Sequence, residues 1–352
     1  MPNITPSEDR TVETVHVPNN PTLTGLARLT RNVAYRTGAD DLVMDIIAPQ
    51  STGDDDDRRY PTVVFVQGSA WTTPDRDYEI PQLSELAREG FVVATVNHRN
   101  ASRDASAVFP AYLKDVKAAI RYLRANARRW HIDPERLGIW GTSSGGNTSL
   151  LVGLTADDPR YEDGSYATES DAVSFVVSCF PPTDMMEAID AFGNEDDPFR
   201  LYYFGQFAAV VGATHETGLS DDVRRRAADM SPYLQVRDGV AYPPTMLLHG
   251  TADTVVPYHQ SVKMRDRLAE HGVESALLDF GGNILAMGSR PDGTPWRIGV
   301  RDPETDGTLG VWRSPTRAWW SPAAMSATLW GRTGSGTGTS WTRRPAPLPG
   351  AA

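Results

Sequence analysis

Residues Gly141-Thr142-Ser143-Ser144-Gly145 set a serine two positions from a glycine on either side. The apolar run "RLGIWG" leads into them, and "SSGGNTSLLVGLTA" reads as a helix leading away. A serine that must project its hydroxyl above a sheet sits on a sharp strand-to-helix turn. Side chains two residues before and two after would collide there, so this spacing is that of a nucleophilic Ser143. The following helix aims its first amides at the same spot, which makes the Ser144 N–H a candidate oxyanion donor. The alternative is an ordinary glycine-rich turn capping a helix, and the strand before and helix after favour the nucleophile. As a nucleophile, Ser144 itself is out of register.

Two further segments could serve such a serine. "VVFVQGSAW" ends an apolar run in small residues, and backbone amides of Gly68 and Ser69 could fix an oxyanion without side-chain rearrangement. Trp71 would wall the pocket beside them. A plain strand-end turn explains this segment equally well. "LLHGTADTVVP" puts Asp253 just past another apolar run, where a carboxylate could hold the tautomer of a histidine base. Its alternative is a helix N-terminal aspartate ahead of Pro257, favourable to the helix dipole. Asp184 in "PPTD" competes for the acid role but more naturally caps a helix.

The elements that would carry these residues alternate from about residue 30 to 280. "PTVVFVQG", "FVVATVNHR", "AVSFVVSCF", "TMLLHG" and "VESALLDF" are continuous apolar runs. Between them lie helical patterns such as "AYLKDVKAAIRYLRANARRW", with Leu113, Val116, Ile120 and Leu123 on one face. Strands apolar on both faces, alternating with amphipathic helices, indicate a mostly parallel sheet covered on both sides, an α/β fold. Residues 185–235 break the alternation with helical sequence only and are expected to form a cap, whose Tyr202, Tyr203, Phe204 and Phe207 would shape a substrate pocket. "TVETVHV" and "DDLVMDIIAP" offer short strands that could pair antiparallel at one edge. The domain expected is residues 1–280. In residues 281–352, 12 glycines and 8 prolines among 72 residues point to an irregular, low-complexity tail.

Composition narrows the classes. With 352 residues and a net charge of −11, lacking a basic stripe, the chain is a poor candidate for nucleic acid or an anionic membrane. The single cysteine, Cys179, ends an apolar run and excludes an intrachain disulfide framework. The polar N-terminus lacks a secretory core, and no apolar stretch approaches the roughly 18 residues that span a bilayer, so a cytoplasmic protein is expected. The seven histidines show no metal-ligand spacing, and neither metal nor cofactor is expected. Sequence gives no oligomeric state.

Taken together, "HIDPERLGIWGTSSGG", "HGTADTVVP" and "FPPTD" resemble the blocks of α/β-hydrolase esterases and lipases, close to the hormone-sensitive-lipase-like and feruloyl or acetyl esterase group. The resemblance covers residues 30–280. It implies a Ser–His–Asp hydrolase that cleaves small-molecule carboxylic esters through an acyl-enzyme, with Ser143 as nucleophile and Asp253 as acid. Two departures stand out. The oxyanion loop, usually HGGGW in that group, reads "QGSAW" here. The base, expected in a "GxGH"-like turn after the last strand, is absent: "FGGNILAM" has Asn283 near that place, and no histidine follows His271. His98, His215, His249, His259 and His271 are poor replacements by position. The aperiodic tail suggests a reading frame lost around residues 275–283. A catalytically silent hydrolase-fold protein is one alternative, and a prolyl-oligopeptidase-like peptidase another.

Overall fold

The computed structural model describes residues 25–36, 42–50, 57–190, 198–214 and 219–273, and short backbone strands beyond them. Strands β1 (Ala27–Ala34), β2 (Val43–Pro49), β3 (Tyr60–Val66), β4 (Val92–Val96), β5 (Ile132–Thr142), β6 (Val176–Cys179), β7 (Thr245–Leu248) and β8 (Ala276–Asp279) lie in one sheet. Its order is β1-β2-β4-β3-β5-β6-β7-β8, continuing through β9 (Ile284–Met287) to β12 (Arg317–Trp320). From β4 to β8 all pairings are parallel, while β1–β2 and β2–β4 are antiparallel. The apolar runs are therefore where the alternation puts them. All five residues of β4 are buried, as a strand covered on both faces requires.

The edge differs from its expected form. "TVETVHV" lies outside the described residues, and the partner of β2 is instead "ARLTRNVA". That strand has no sustained alternation because it carries a register shift between Thr30 and Val33, with Asn32 at φ +56°. The Asn32 amide donates to Asp45 Oδ1 (2.7 Å).

Helix α1 (Ile80–Arg88) packs Leu83 and Ala87 against Ile47, Phe65 and Val93 on one face of the sheet. On the other face, helices α2 (Ala111–Ala125) and α3 (Ser144–Leu154) are covered almost all round. Leu113, Val116, Ile120 and Leu123 of α2 are fully buried. So are Asp115, Lys117 and Arg121, which must then be paired. Asp115 bonds Arg99 and Arg36, and Asp171 takes both Lys117 Nζ (2.6 Å) and Arg121 Nη1 (2.8 Å).

Between β6 and β7 the chain forms α4 (Met185–Asp190), α5 (Pro198–Val211), α6 (Asp221–Asp229) and α7 (Pro232–Gln235), with no strand among the described residues. Helix α8 (His259–Glu270) joins β7 to β8. Beyond residue 281, where sequence suggests irregular chain, six antiparallel strands are described: β9, β12, and the hairpins β10 (Trp296–Arg301) with β11 (Thr308–Ser314) and β13 (Thr328–Arg332) with β14 (Trp341–Pro345). The alternation of Trp296, Ile298 and Val300 with Arg297, Gly299 and Arg301 is one strand long. It is too short to register against glycine- and proline-rich surroundings.

Candidate active site

Ser143 sits between β5 and α3 with φ +50° and ψ −120°. Backbone of that kind costs a residue bearing a Cβ roughly 1–3 kcal/mol. Packing holds it there. A Cβ on Gly141 would come within 2.0 Å of the Gly145 carbonyl oxygen, and one on Gly145 within 2.0 Å of the Val66 carbonyl oxygen. The turn can be this tight only with glycine at both positions. The Ser143 amide donates to the Cys179 carbonyl at the end of β6 (2.8 Å). Helix α3 is pinned behind it, since Asn147 Nδ2 donates to the carbonyls of Pro182 and Met230, both at 3.0 Å. Cys179 is buried, and its sulfur accepts from Trp140 Nε1 (3.2 Å).

Half-buried Ser143 lines a cavity of ≈ 470 Å³ with Gly68, Ser69, Ala70, Tyr203 and Asp253. The loop after β3 packs directly on the serine: a Cβ on Gly68 would lie 2.8 Å from Ser143 Cβ. Sequence suggests the Gly68 and Ser69 amides as oxyanion donors, but both are turned to the neighbours of Ser143. Gly68 N–H donates to Thr142 Oγ1 (2.8 Å) and Ser69 N–H to Ser144 Oγ (2.9 Å). Small residues permit close approach, but the orientation of a peptide plane leaves no trace in residue type. Two other donors stand at the site. Ser144 N–H opens α3 and has no intrahelical acceptor. Ala70 N–H, which sequence did not single out, has no acceptor among the described residues. Ala70 (φ +50°) and Trp71 (φ +58°) both lie in the left-handed region, in a turn closed by Thr72 N–H to the Ser69 carbonyl (3.0 Å). Gln67 accepts the Asp75 amide on Oε1 (2.6 Å).

Asp253 follows β7, and its Oδ1 accepts the amides of Val255 (2.8 Å) and Val256 (2.9 Å). Its Oδ2 lies 3.6 Å from His249 Nε2. Both nitrogens of that imidazole are occupied, Nε2 by the Val256 carbonyl (2.9 Å) and Nδ1 by Ser261 Oγ (2.7 Å). Burial lowers the His249 pKa against the opposing pull of that carbonyl and of Asp253. His98 is buried against Tyr112 with Nδ1 on the Arg99 carbonyl (2.9 Å), and burial lowers its pKa too. His259 is exposed and bonds Glu187 (2.8 Å), and His271 faces Asp238. None of the described histidines lines the cavity shared by Ser143 and Asp253. His215 and Asn283 lie outside the described residues. Asp184 Oδ1 accepts the Met186 amide (3.0 Å), a cap on α4, and is not part of that cavity.

A second cavity, of ≈ 290 Å³, is walled by Trp71, Met185, Tyr203, Phe204, Phe207 and Val256. Tyr203 and Val255 line both cavities, so the two adjoin. Trp71 is anchored by Phe207 of α5 (ring centroids 6.1 Å apart). The side chain of Tyr202 is outside the described residues. At the rim, Lys263 bonds Asp184 (2.5 Å) and Glu187 (2.6 Å), tying α8 to α4. Among the described residues, no cluster of acids, histidines or cysteine could hold a metal, and no helix is long and apolar enough to cross a membrane.

A mostly parallel sheet with helices on both faces and a serine on a strained strand–turn–helix defines an α/β-hydrolase. The BD-FAE family model matches residues 44–268, more than half of the chain. The chain belongs to that family of α/β-hydrolase esterases. The ApbE family model matches residues 261–318. That likeness continues through 275–283 in the frame as read, so it does not support a frame lost there. Esterase LipC of Mycobacterium tuberculosis is 30% identical over 209 residues, 59% of this chain and 48% of that protein. Probable carboxylic ester hydrolase LipM of the same organism is 29% identical over 220 residues, 60% of this chain and 45% of that protein. The chain spans about half the length of the curated relatives it matches. A solved structure described as a truncated form of carbohydrate esterase from gut microbiota is 28% identical, with a TM-score of 0.59, covering 73% of this chain and 88% of that one.

Proposed function

We propose that this chain is a serine hydrolase that cleaves carboxylic esters of small molecules. The observation that carries the reading is the conformation of Ser143: a strained turn that shares one cavity with the carboxylate of Asp253. Ser143 Oγ attacks the acyl carbon while its proton passes to a base. The oxyanion is held by the Ser144 and Ala70 amides. Collapse expels the alcohol, which takes the proton, and water then releases the acid from the acyl-serine by the same steps. Asp253 has Oδ1 engaged by two amides, which leaves Oδ2 for the base. The acyl or aryl part occupies the cavity of Trp71, Tyr203 and Phe204. The hydrolase unit comprises residues 1–280, with its cap at about 185–235, and β9 and β12 of residues 281–352 extend its sheet.

A fluorophosphonate probe combined with p-nitrophenyl acetate turnover tests this. Labelling and turnover are expected, and Ser143→Ala abolishes both. A folded protein that shows neither labelling nor turnover would instead be a silent hydrolase fold.

A further inference from the structure

We propose that Thr142 and Ser144, the neighbours of the nucleophile on either side, are positioning residues whose side-chain hydroxyls set the oxyanion loop. Its catalytic consequence rests on the hydrolase reading. The staple itself rests on geometry alone.

The loop from Gln67 to Trp71 is held to the serine turn by two consecutive amides. Each is accepted by a hydroxyl that flanks Ser143: Gly68 N–H by Thr142 Oγ1 at 2.8 Å and Ser69 N–H by Ser144 Oγ at 2.9 Å. Ser144 is 3% exposed, so its hydroxyl is a built part of the interior rather than a surface group. Two adjacent peptide planes fixed in this way leave the next one, which carries the Ala70 amide, little freedom to rotate. Ser144 also supplies the other donor through its own backbone. One residue thus connects both halves of the oxyanion site, by its covalent frame on one side and a hydrogen bond on the other. Without that hydroxyl, the part-buried Ser69 N–H has lost its acceptor and must rotate to find another. Ala70 N–H rotates with it. Gln67 contributes less here, because its side chain reaches away to the Asp75 amide.

The test uses the full chain and the variants Ser144→Ala, Thr142→Val, Ser144→Thr and Thr142→Ser. Amide hydrogen exchange is read on the peptide spanning residues 66–72, with urea melts to verify folding. Exchange is expected to quicken about tenfold at Ser69 in Ser144→Ala and at Gly68 in Thr142→Val, as each amide loses its acceptor. The two hydroxyl-retaining variants should match the parent. With ester substrate, kcat should fall about tenfold while KM changes by less than about twofold, because the affected donors act on the transition state. Unchanged exchange in folded Ser144→Ala and Thr142→Val overturns the proposal. So does a defect in Ser144→Thr or Thr142→Ser as large as in the hydroxyl-free variants, since that would be packing. A parent chain without turnover or labelling refutes the hydrolase reading, and the exchange data still decide the staple.

Discussion

Replacing Ser143 by glycine and by alanine isolates the backbone conformation on which the site depends. Both variants lack the hydroxyl, so they differ only in the Cβ. At φ +50° and ψ −120°, alanine keeps a strain of roughly 1–3 kcal/mol, from which glycine is free. Glycine loses more chain entropy on folding, by about 0.4–1 kcal/mol. Contacts of the Cβ with Gly68 weigh little, at about 0.1–0.2 kcal/mol per atom pair. The glycine variant should therefore be the more stable of the two by roughly 0.5–2 kcal/mol. Urea unfolding, with a shift in midpoint at unchanged slope, measures the difference. An alanine variant more stable than the glycine variant by about 0.4–1 kcal/mol, the chain-entropy difference alone, would mean that residue 143 carries no strain. Gly141 to Gly145 would then be an ordinary capping turn, and the nucleophile assignment would lose its physical basis.

Four further outcomes are expected. Asp253→Asn keeps an oxygen for the Val255 and Val256 amides, so urea stability should hold within about 1 kcal/mol, while turnover falls by up to about 10⁴-fold; turnover above a tenth of the parent's refutes the acid role. His98 has a folded pKa lowered by burial, so the unfolded chain binds the extra proton. Its contribution is full above the ordinary value of 6.5 and is lost as pH falls through and below it, at up to about 1.4 kcal/mol per pH unit. His98→Gln should flatten that limb of the stability profile, and an unchanged limb refutes the assignment. Trp71→Ala should cost about 3–5 kcal/mol in urea melts and raise KM for bulky acyl esters more than for acetate; equal effects on both would remove Trp71 from the pocket wall. Asn283→His should raise the rate of fluorophosphonate labelling at Ser143 about 10²-fold, the contribution of a general base; no change would exclude a base entering at that position.

The features legible in the sequence are those with steric or burial causes. Val92 to Val96 reads as a strand because both faces of it are covered. Gly141 and Gly145 read as a nucleophile turn because a Cβ at either position would strike backbone. Trp71, Tyr203 and Phe204 read as a pocket wall because apolar rings beside a small-residue loop need something to pack on. The illegible features depend on orientation rather than type. Nothing in "QGSAW" tells that the amides of residues 68 and 69 point to Thr142 and Ser144 while that of Ala70 stays without an acceptor. Nor does "ARLTRNVA" announce a strand when a bulge at Asn32 interrupts its alternation.

The sheet order explains why two of the three groups that the proposed hydrolase reading calls for can be placed from sequence and the third cannot. Ser143 follows β5 and Asp253 follows β7, and all strands from β5 to β8 are parallel. Their carboxyl ends therefore share one edge, so the chain leaves Asp279 of β8 on the edge that holds Ser143 and Asp253. A histidine just past β8 would leave the sheet from that same edge. Residues 280–318, directly after β8, lie beyond the BD-FAE match, which ends at 268, and inside the ApbE match, which runs from 261 to 318. Ser143 and Asp253 fall within the BD-FAE match, while the residues just past β8 carry a different likeness. The absent histidine is therefore better explained by a change of sequence character across the whole segment after β8 than by a single exchange at Asn283. A point substitution would leave esterase-like sequence on both sides of it.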